Sequence, residues 1–263
     1  MGLRFMEDGL HHNDDESGGL NERPLRSLAA EALTRLAAER AIKDCTIDVD
    51  FLNELCEAVC DPMLSRKNKV VEKMMRAGIS GDVIVEVYCA EAARRLGEGW
   101  CEDTHSFAEV SIGSARLQGL VREIGAELGY EKINKERGVL VLVRGDEQHT
   151  LGALILTHKL RRRGMSVRLI MGRRDEDVLG ALRHDKYDAV LLSISNLEKL
   201  AALPEFVENM RETGGKRLPI IVGGAVLQKC DDEVARDTGA DFATSDVDEA
   251  LKFCAGAIAL ESS

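Results

Sequence analysis

Residues 138–156 read GVLVLVRGDEQHTLGALIL, and the fold turns on how this stretch is read. Val139 to Val143 form a short, β-branched, uninterrupted apolar run, the pattern of a strand buried on both faces. From Leu151 the apolar residues recur at helical spacing, so a strand passes into a helix through a loop that contains Gly145 and Gly152. Such a loop usually cradles a phosphate on backbone amides at the helix start. Neither G-x-G-x-x-G nor the P-loop pattern is present, which argues against a nicotinamide or flavin dinucleotide and against a nucleoside triphosphate at this position. The loop instead carries His149 beside Asp146 and Glu147. A carboxylate beside a histidine fixes the imidazole tautomer and strengthens it as a metal ligand or base. A loop histidine that simply bonds a neighbouring acid is the plain alternative.

Downstream the alternation continues. SVRLIM, DAVLLSI, LPIIVGG and ADFAT read as strands; DEDVLGALRHD, LAALPEFVENMRETG and DDEVARDTG read as the helices between them. Strands separated by helices of this length require right-handed crossovers, hence a parallel sheet covered on both faces. We expect a five-stranded doubly wound domain, flavodoxin-like or Rossmann-type, over 135–263. Ligands of such sheets lie outside the carboxyl ends of the strands. The loops at 145–152, 193–196, 223–225 and 244–245 should therefore line one crevice.

Upstream the character is different. Residues 1–24 are acidic and aperiodic, which predicts a flexible extension. From Leu25 to Asn134 apolar residues recur at three and four, so an all-helical unit is expected, with Pro62, Gly78 and Gly97 or Gly99 as helix stops. The net charge is −11, unsuited to gripping nucleic acid through its phosphates, and a protein partner is the better expectation. Seven cysteines without a CxxC pair suggest free thiols, not a disulfide framework or zinc site. No apolar run is long enough to span a bilayer and no secretion signal opens the chain, so a cytoplasmic protein without membrane association is expected. His158 is expected in the core or on a helix flank, His184 on the surface, and KLRRRG at 159–164 as a solvated helix end.

The loop residues Glu147, His149 and Gly152, followed by Ser193-Ile194-Ser195 and then Gly223-Gly224, resemble the vitamin B12-binding domain family, whose pattern is D-x-H-x-x-G, S-x-L and G-G. The resemblance implies that His149 is the lower axial ligand to cobalt and that Gly152 packs helix against sheet. It further implies that Ser193 contacts the buried nucleotide base, and that Gly223 and Gly224, with Thr244 and Ser195 nearby, line the slot for the nucleotide tail. Glu147 occupies the acidic position of the pattern, one methylene longer, with Asp146 as the alternative partner of His149. The S-x-L position ends in a polar Ser195. Residues 70–114 resemble the four-helix-bundle cap that precedes such domains; Trp100, after LGEG, would cover the upper corrin face, and His105 would be a possible upper ligand.

The resemblance implies a non-enzymatic, cobalamin-binding protein, because a chain of this length leaves no room for a catalytic barrel beside cap and sheet. Methyl shuttles usually carry D-x-H-D-x-G-K, and here Thr150 and Ala153 replace the aspartate and lysine. The acidic extension and additional N-terminal helix resemble the AerR/PpaA-type antirepressors of purple photosynthetic bacteria. The expectation is thus a light-responsive antirepressor, holding adenosylcobalamin or hydroxocobalamin and contacting a DNA-binding repressor of photosynthesis genes. The alternative is a corrinoid protein that shuttles methyl groups between methyltransferases on methylcobalamin.

Overall fold

A computed structural model describes residues 34–129, 138–145, 147, 149–228 and 232–261. The expected extension over 1–24, the start of the first helix, the expected boundary at 134/135, Asp146 and Cys230 lie outside them.

Among the described residues, five helices form the N-terminal unit. Helix α1 covers 34–43; α2 is Val49–Cys60 and α3 is Leu64–Arg76. Asp48 caps α2 by accepting from the amides of Asp50 and Phe51. Helix α4 runs Gly81–Val83, widens into a π turn at Ile84–Tyr88 and continues as Cys89–Cys101. Helix α5, Phe107–Glu127, opens with a capping box in which Ser106 and Glu109 satisfy each other's backbone amides. Leu52, Leu55, Met74, Ile84, Tyr88, Leu96 and Leu117 fill the space between these helices. Pro62 and Gly78 stop helices as the sequence suggests, whereas Gly97 and Gly99 lie inside α4.

The second unit is the expected parallel sheet: β1 (Val139–Arg144), β2 (Val167–Arg173), β3 (Ala189–Ser193), β4 (Ile220–Gly223) and β5 (Phe242–Ala243), in the order β2-β1-β3-β4-β5. Its helices are α6 (Leu151–Arg162), α7 (Asp175–His184), α8 (Leu203–Gly214), α9 (Asp232–Thr238) and α10 (Val247–Glu261). The central position of β1 explains its sequence. Val139 to Val143 are all buried because helices cover both faces. Leu140, Leu142, Leu192 and Val222 face one helical layer, and Val139, Val141 and Ile221 face the other.

The chain leaves β1 in one direction to make β2 and returns across it to make β3. The loops after β1 and β3 therefore part from each other, and a crevice opens between them at the carboxyl ends of the two strands. Parallel register pairs Val143 with Ser193 and Ser193 with Gly223, so three loops begin side by side.

Because Leu140 is fully buried in the core on one face of the sheet, Leu140→Ala should lower the unfolding free energy by about 3 kcal/mol. Urea denaturation of the two proteins measures this.

Candidate functional site

Glu147 and His149 stand in the loop between β1 and α6; Ser195 stands in the loop after β3. Strand order makes them neighbours. The Glu147 side chain is only 3% exposed and that of His149 is 78% exposed. The amides of His149 and Ser195 each donate to the Glu147 carboxylate at 3.0 Å, and the Ser195 hydroxyl donates to Oε1 at 2.6 Å. The His149 ring completes the set: Nδ1 lies 3.1 Å from Glu147 Oε1 and 3.0 Å from Ser195 Oγ.

Burial by itself would raise the carboxyl pKa, but the hydrogen bonds from Ser195 and His149 outweigh it and hold Glu147 down at about 2. An ionised Glu147 can only accept, so its hydrogen bond with the neutral ring places the proton on Nδ1. The lone pair is then left on Nε2, which has no hydrogen-bond partner among the described residues and belongs to the exposed ring. An imidazole with one nitrogen pinned and the other presented is the arrangement of a metal ligand or a base.

Beside this cluster is a cavity of about 250 Å³ lined by residues that include Gly152, Ser193, Gly223, Gly224, Thr244 and Lys159. The glycines shape it in different ways. A Cβ on Gly152 would meet nothing within 4 Å, so this residue leaves the slot open and does not serve the close helix-sheet packing expected of it. Gly224 has φ +106° and its missing Cβ would stand 2.4 Å from the Ile194 carbonyl oxygen. Only glycine fits there. Thr244 accepts from the amide of Asp246 and donates its hydroxyl to Glu249.

Trp100 and His105 form a separate group at the α4–α5 turn. Three donors converge on the Gly99 carbonyl: the amides of Thr104 and His105 at 2.8 and 3.0 Å, and the Thr104 hydroxyl at 2.9 Å. The His105 ring lies where a Gly99 side chain would be, with Cδ2 2.3 Å from the missing Cβ. That contact, not helix termination, accounts for the glycine. Trp100 remains 52% exposed and tilts against the more exposed Phe107 at a centroid distance of 6.3 Å. No hydrogen bond among the described residues joins Trp100 or His105 to the sheet loops.

Sequence reasoning missed Ser195 as a direct partner of the Glu147-His149 pair, although its hydroxyl was visible in SISN. It also placed 159–164 in solvent. Lys159 is half-buried against the slot and Arg162 is buried, because a helix packed between sheet and bundle has little free face. His158 is buried as expected, His184 is exposed, and Glu147 is seen to hold His149.

A parallel sheet with a presented histidine at its switch point and a glycine-walled slot alongside defines a ligand-binding α/β domain. Residues 137–252 match the B12 binding domain family. A protein of Rhodobacter capsulatus, the uncharacterized 20.5 kDa protein in the bchF-crtJ intergenic region, is 33% identical over 162 residues, which cover 61% of this chain and 84% of that protein. The chain belongs to the B12-binding domain family. In fold it is similar to the monomethylamine corrinoid protein of Methanosarcina barkeri, with TM-score 0.61, 16% identity, and coverage of 82% of this chain and 100% of that one. No described helix is long and apolar enough to cross a membrane.

Two outcomes test the local physics. Gly224→Ala should cost about 2 kcal/mol or more through backbone strain and the clash with Ile194, measured by urea unfolding. The depressed Glu147 carboxyl contributes stability that is complete above its ordinary value of 4.5 and is lost as pH falls toward about 2. Unfolding free energies of Glu147→Gln between about pH 5 and 2 should therefore fall less steeply than those of the wild type.

Proposed function

We propose that this protein is a non-enzymatic carrier of cobalamin, which holds the corrinoid with His149 as lower axial ligand and offers it to a second protein. The observation that carries the reading is the His149 ring: Nδ1 is pinned by Glu147 and Ser195, the ring is exposed, and its loop leads into Gly152, which lines the slot. When bound, the cofactor would supply a cobalt centre able to carry an alkyl group. The chain's own residues do the rest. Glu147 and Ser195 set the ring's direction and basicity. Gly152, Gly223 and Gly224 keep the slot walls free of side chains, so a flat base can lie along the backbone, with Ser193, Thr244 and Lys159 as its polar contacts. On this reading the helical unit over 25–134 is the corrin cap, with Trp100 above the upper face and His105 as a possible ligand there.

Likeness in fold to the monomethylamine corrinoid protein of Methanosarcina barkeri supports the carrier, which the sequence raised as its alternative, over the light-responsive antirepressor. The antirepressor is kept as a second reading on one observation: Thr150 and Ala153 replace the aspartate and lysine usual in methyl shuttles. Such a protein would act on a DNA-binding repressor by protein-protein contact.

The test is to add hydroxo-, methyl- and adenosylcobalamin to the purified protein and record visible spectra and hydrodynamic size in darkness and after illumination. Wild type should retain methyl- and hydroxocobalamin in a form with the nucleotide base displaced, and His149→Ala should weaken retention at least tenfold. Retention without any light-dependent change in size supports the carrier. A size change on illuminating the adenosylcobalamin complex would replace it with the antirepressor. Absence of corrinoid in every wild-type sample would end both.

A further inference from the structure

Helix α6 has two inward faces. Ala153 and Leu160 pack on the sheet, while Leu151, Leu154 and Ile155 pack into the helical unit. The second stripe continues at helical spacing to His158 and Arg162. There it changes from apolar to polar. His158 Nε2 lies 2.8 Å from Asp82 Oδ1, and Arg162 Nε and Nη2 donate to Glu86 Oε1 and Oε2 at 2.7 and 3.3 Å. All four residues are buried. The imidazole also faces Gly125 of α5, where a Cβ would stand 3.5 Å from His158 Nδ1, an ordinary contact distance. Asp82 and Glu86 bracket the point where α4 widens into its π turn.

Adhesion alone does not account for this arrangement. An apolar seam of the same area holds two elements at least as strongly, since buried charges lose most of their attraction to desolvation. What a two-pronged guanidinium-carboxylate pair imposes is direction, because both prongs are satisfied in only one orientation. Ligand atoms of Asp82, Glu86 and His158 lie within 4.8 Å of one another, close enough to share a cation, and the guanidinium of Arg162 already supplies one to Glu86.

We infer that Asp82, Glu86, His158 and Arg162 are positioning residues that fix the angle at which α4 leaves α6, and through it the placement of the Trp100-His105 turn relative to His149. From Glu86 to Trp100 the helix is a lever of about 21 Å, so a tilt of ten degrees at its base displaces the turn by about 4 Å. That distance separates a ring in contact with a planar ligand from one that is not. His149, His158 and Arg162 belong to one helix and its leading loop, so the proposed lower ligand and the α6 half of the quartet share a rigid frame. The corrin-covering role of the turn rests on the function proposed above; the lever does not.

Two variants and two readouts decide it. Glu86→Gln leaves Arg162 buried against a neutral partner, and Glu86→Met with Arg162→Met removes both charges and leaves no orphan. In the cofactor-free proteins, hydrogen exchange of the α4 amides and emission of Trp100, the sole tryptophan, report on docking of α4. With hydroxocobalamin, the dissociation constant and the visible spectrum report on the site. We expect Glu86→Gln to speed α4 exchange about tenfold relative to the sheet amides and to weaken corrinoid binding about tenfold, with the His149-ligated spectrum kept in the fraction that binds. The double variant should melt no lower than wild type and still bind corrinoid more weakly. Wild-type affinity and α4 exchange in the double variant would overturn the inference, as would a Glu86→Gln protein that melts lower with both readouts unmoved. If wild type binds no corrinoid, the functional reading fails and α4 exchange still decides the lever.

Discussion

Everything at the site depends on a single buried carboxylate. Moving an ionised Glu147 out of water costs several kcal/mol, and four donors offset that cost: two amides, one hydroxyl and one imidazole. Charge-assisted bonds of this kind contribute roughly 1.5–3 kcal/mol each, enough to keep the group charged in a site that would otherwise neutralise it. The imidazole gains a fixed direction and its free nitrogen faces outward. Glu147 thus ties the β1 loop to the β3 loop and orients the histidine in one step.

That tie is possible only because β1 and β3 are adjacent. The order β2-β1-β3-β4-β5 places the turning point of the chain between them, and the same parallel register sets Ser193 beside Gly223. The slot is a consequence of this register together with missing side chains at Gly152, Gly223 and Gly224. Helix α6 then links the site to the rest of the molecule. Its first turns bury apolar residues against the bundle, and its last turns hold His158 and Arg162 in hydrogen-bonded contact with Asp82 and Glu86 of α4. A helix squeezed between two units has to satisfy each of them, which is why a stretch as basic as KLRRRG is not a free surface.

Much of this was legible in the residues. The apolar run at Val139 to Val143, the spacing of apolar residues after Leu151 and the recurrence of strand and helix pointed to a parallel sheet with helices on both faces, and five strands are too few to close a parallel barrel. Pro62 and Gly78 marked helix ends because one lacks a donor and the other adopts positive φ. Gly99 misled for a physical reason. A glycine within a helix looks like a stop until the ring that occupies its place is known, and that ring, His105, comes from the turn beyond it. Gly152 misled in the opposite sense, serving an open space where a close contact was expected.

The sequence by itself determined the class of fold, the loop that bears the ligand-type histidine and the two acids, Glu147 and Asp146, able to partner it, because periodicity and spacing are local properties of the chain. Tertiary structure decided which of those groups touch. Ser195 reaches Glu147 across 48 residues, Asp82 reaches His158 across 76, and Glu86 reaches Arg162 across 76. Such pairings depend on strand order and on the docking of one helix against another, and no local pattern encodes them.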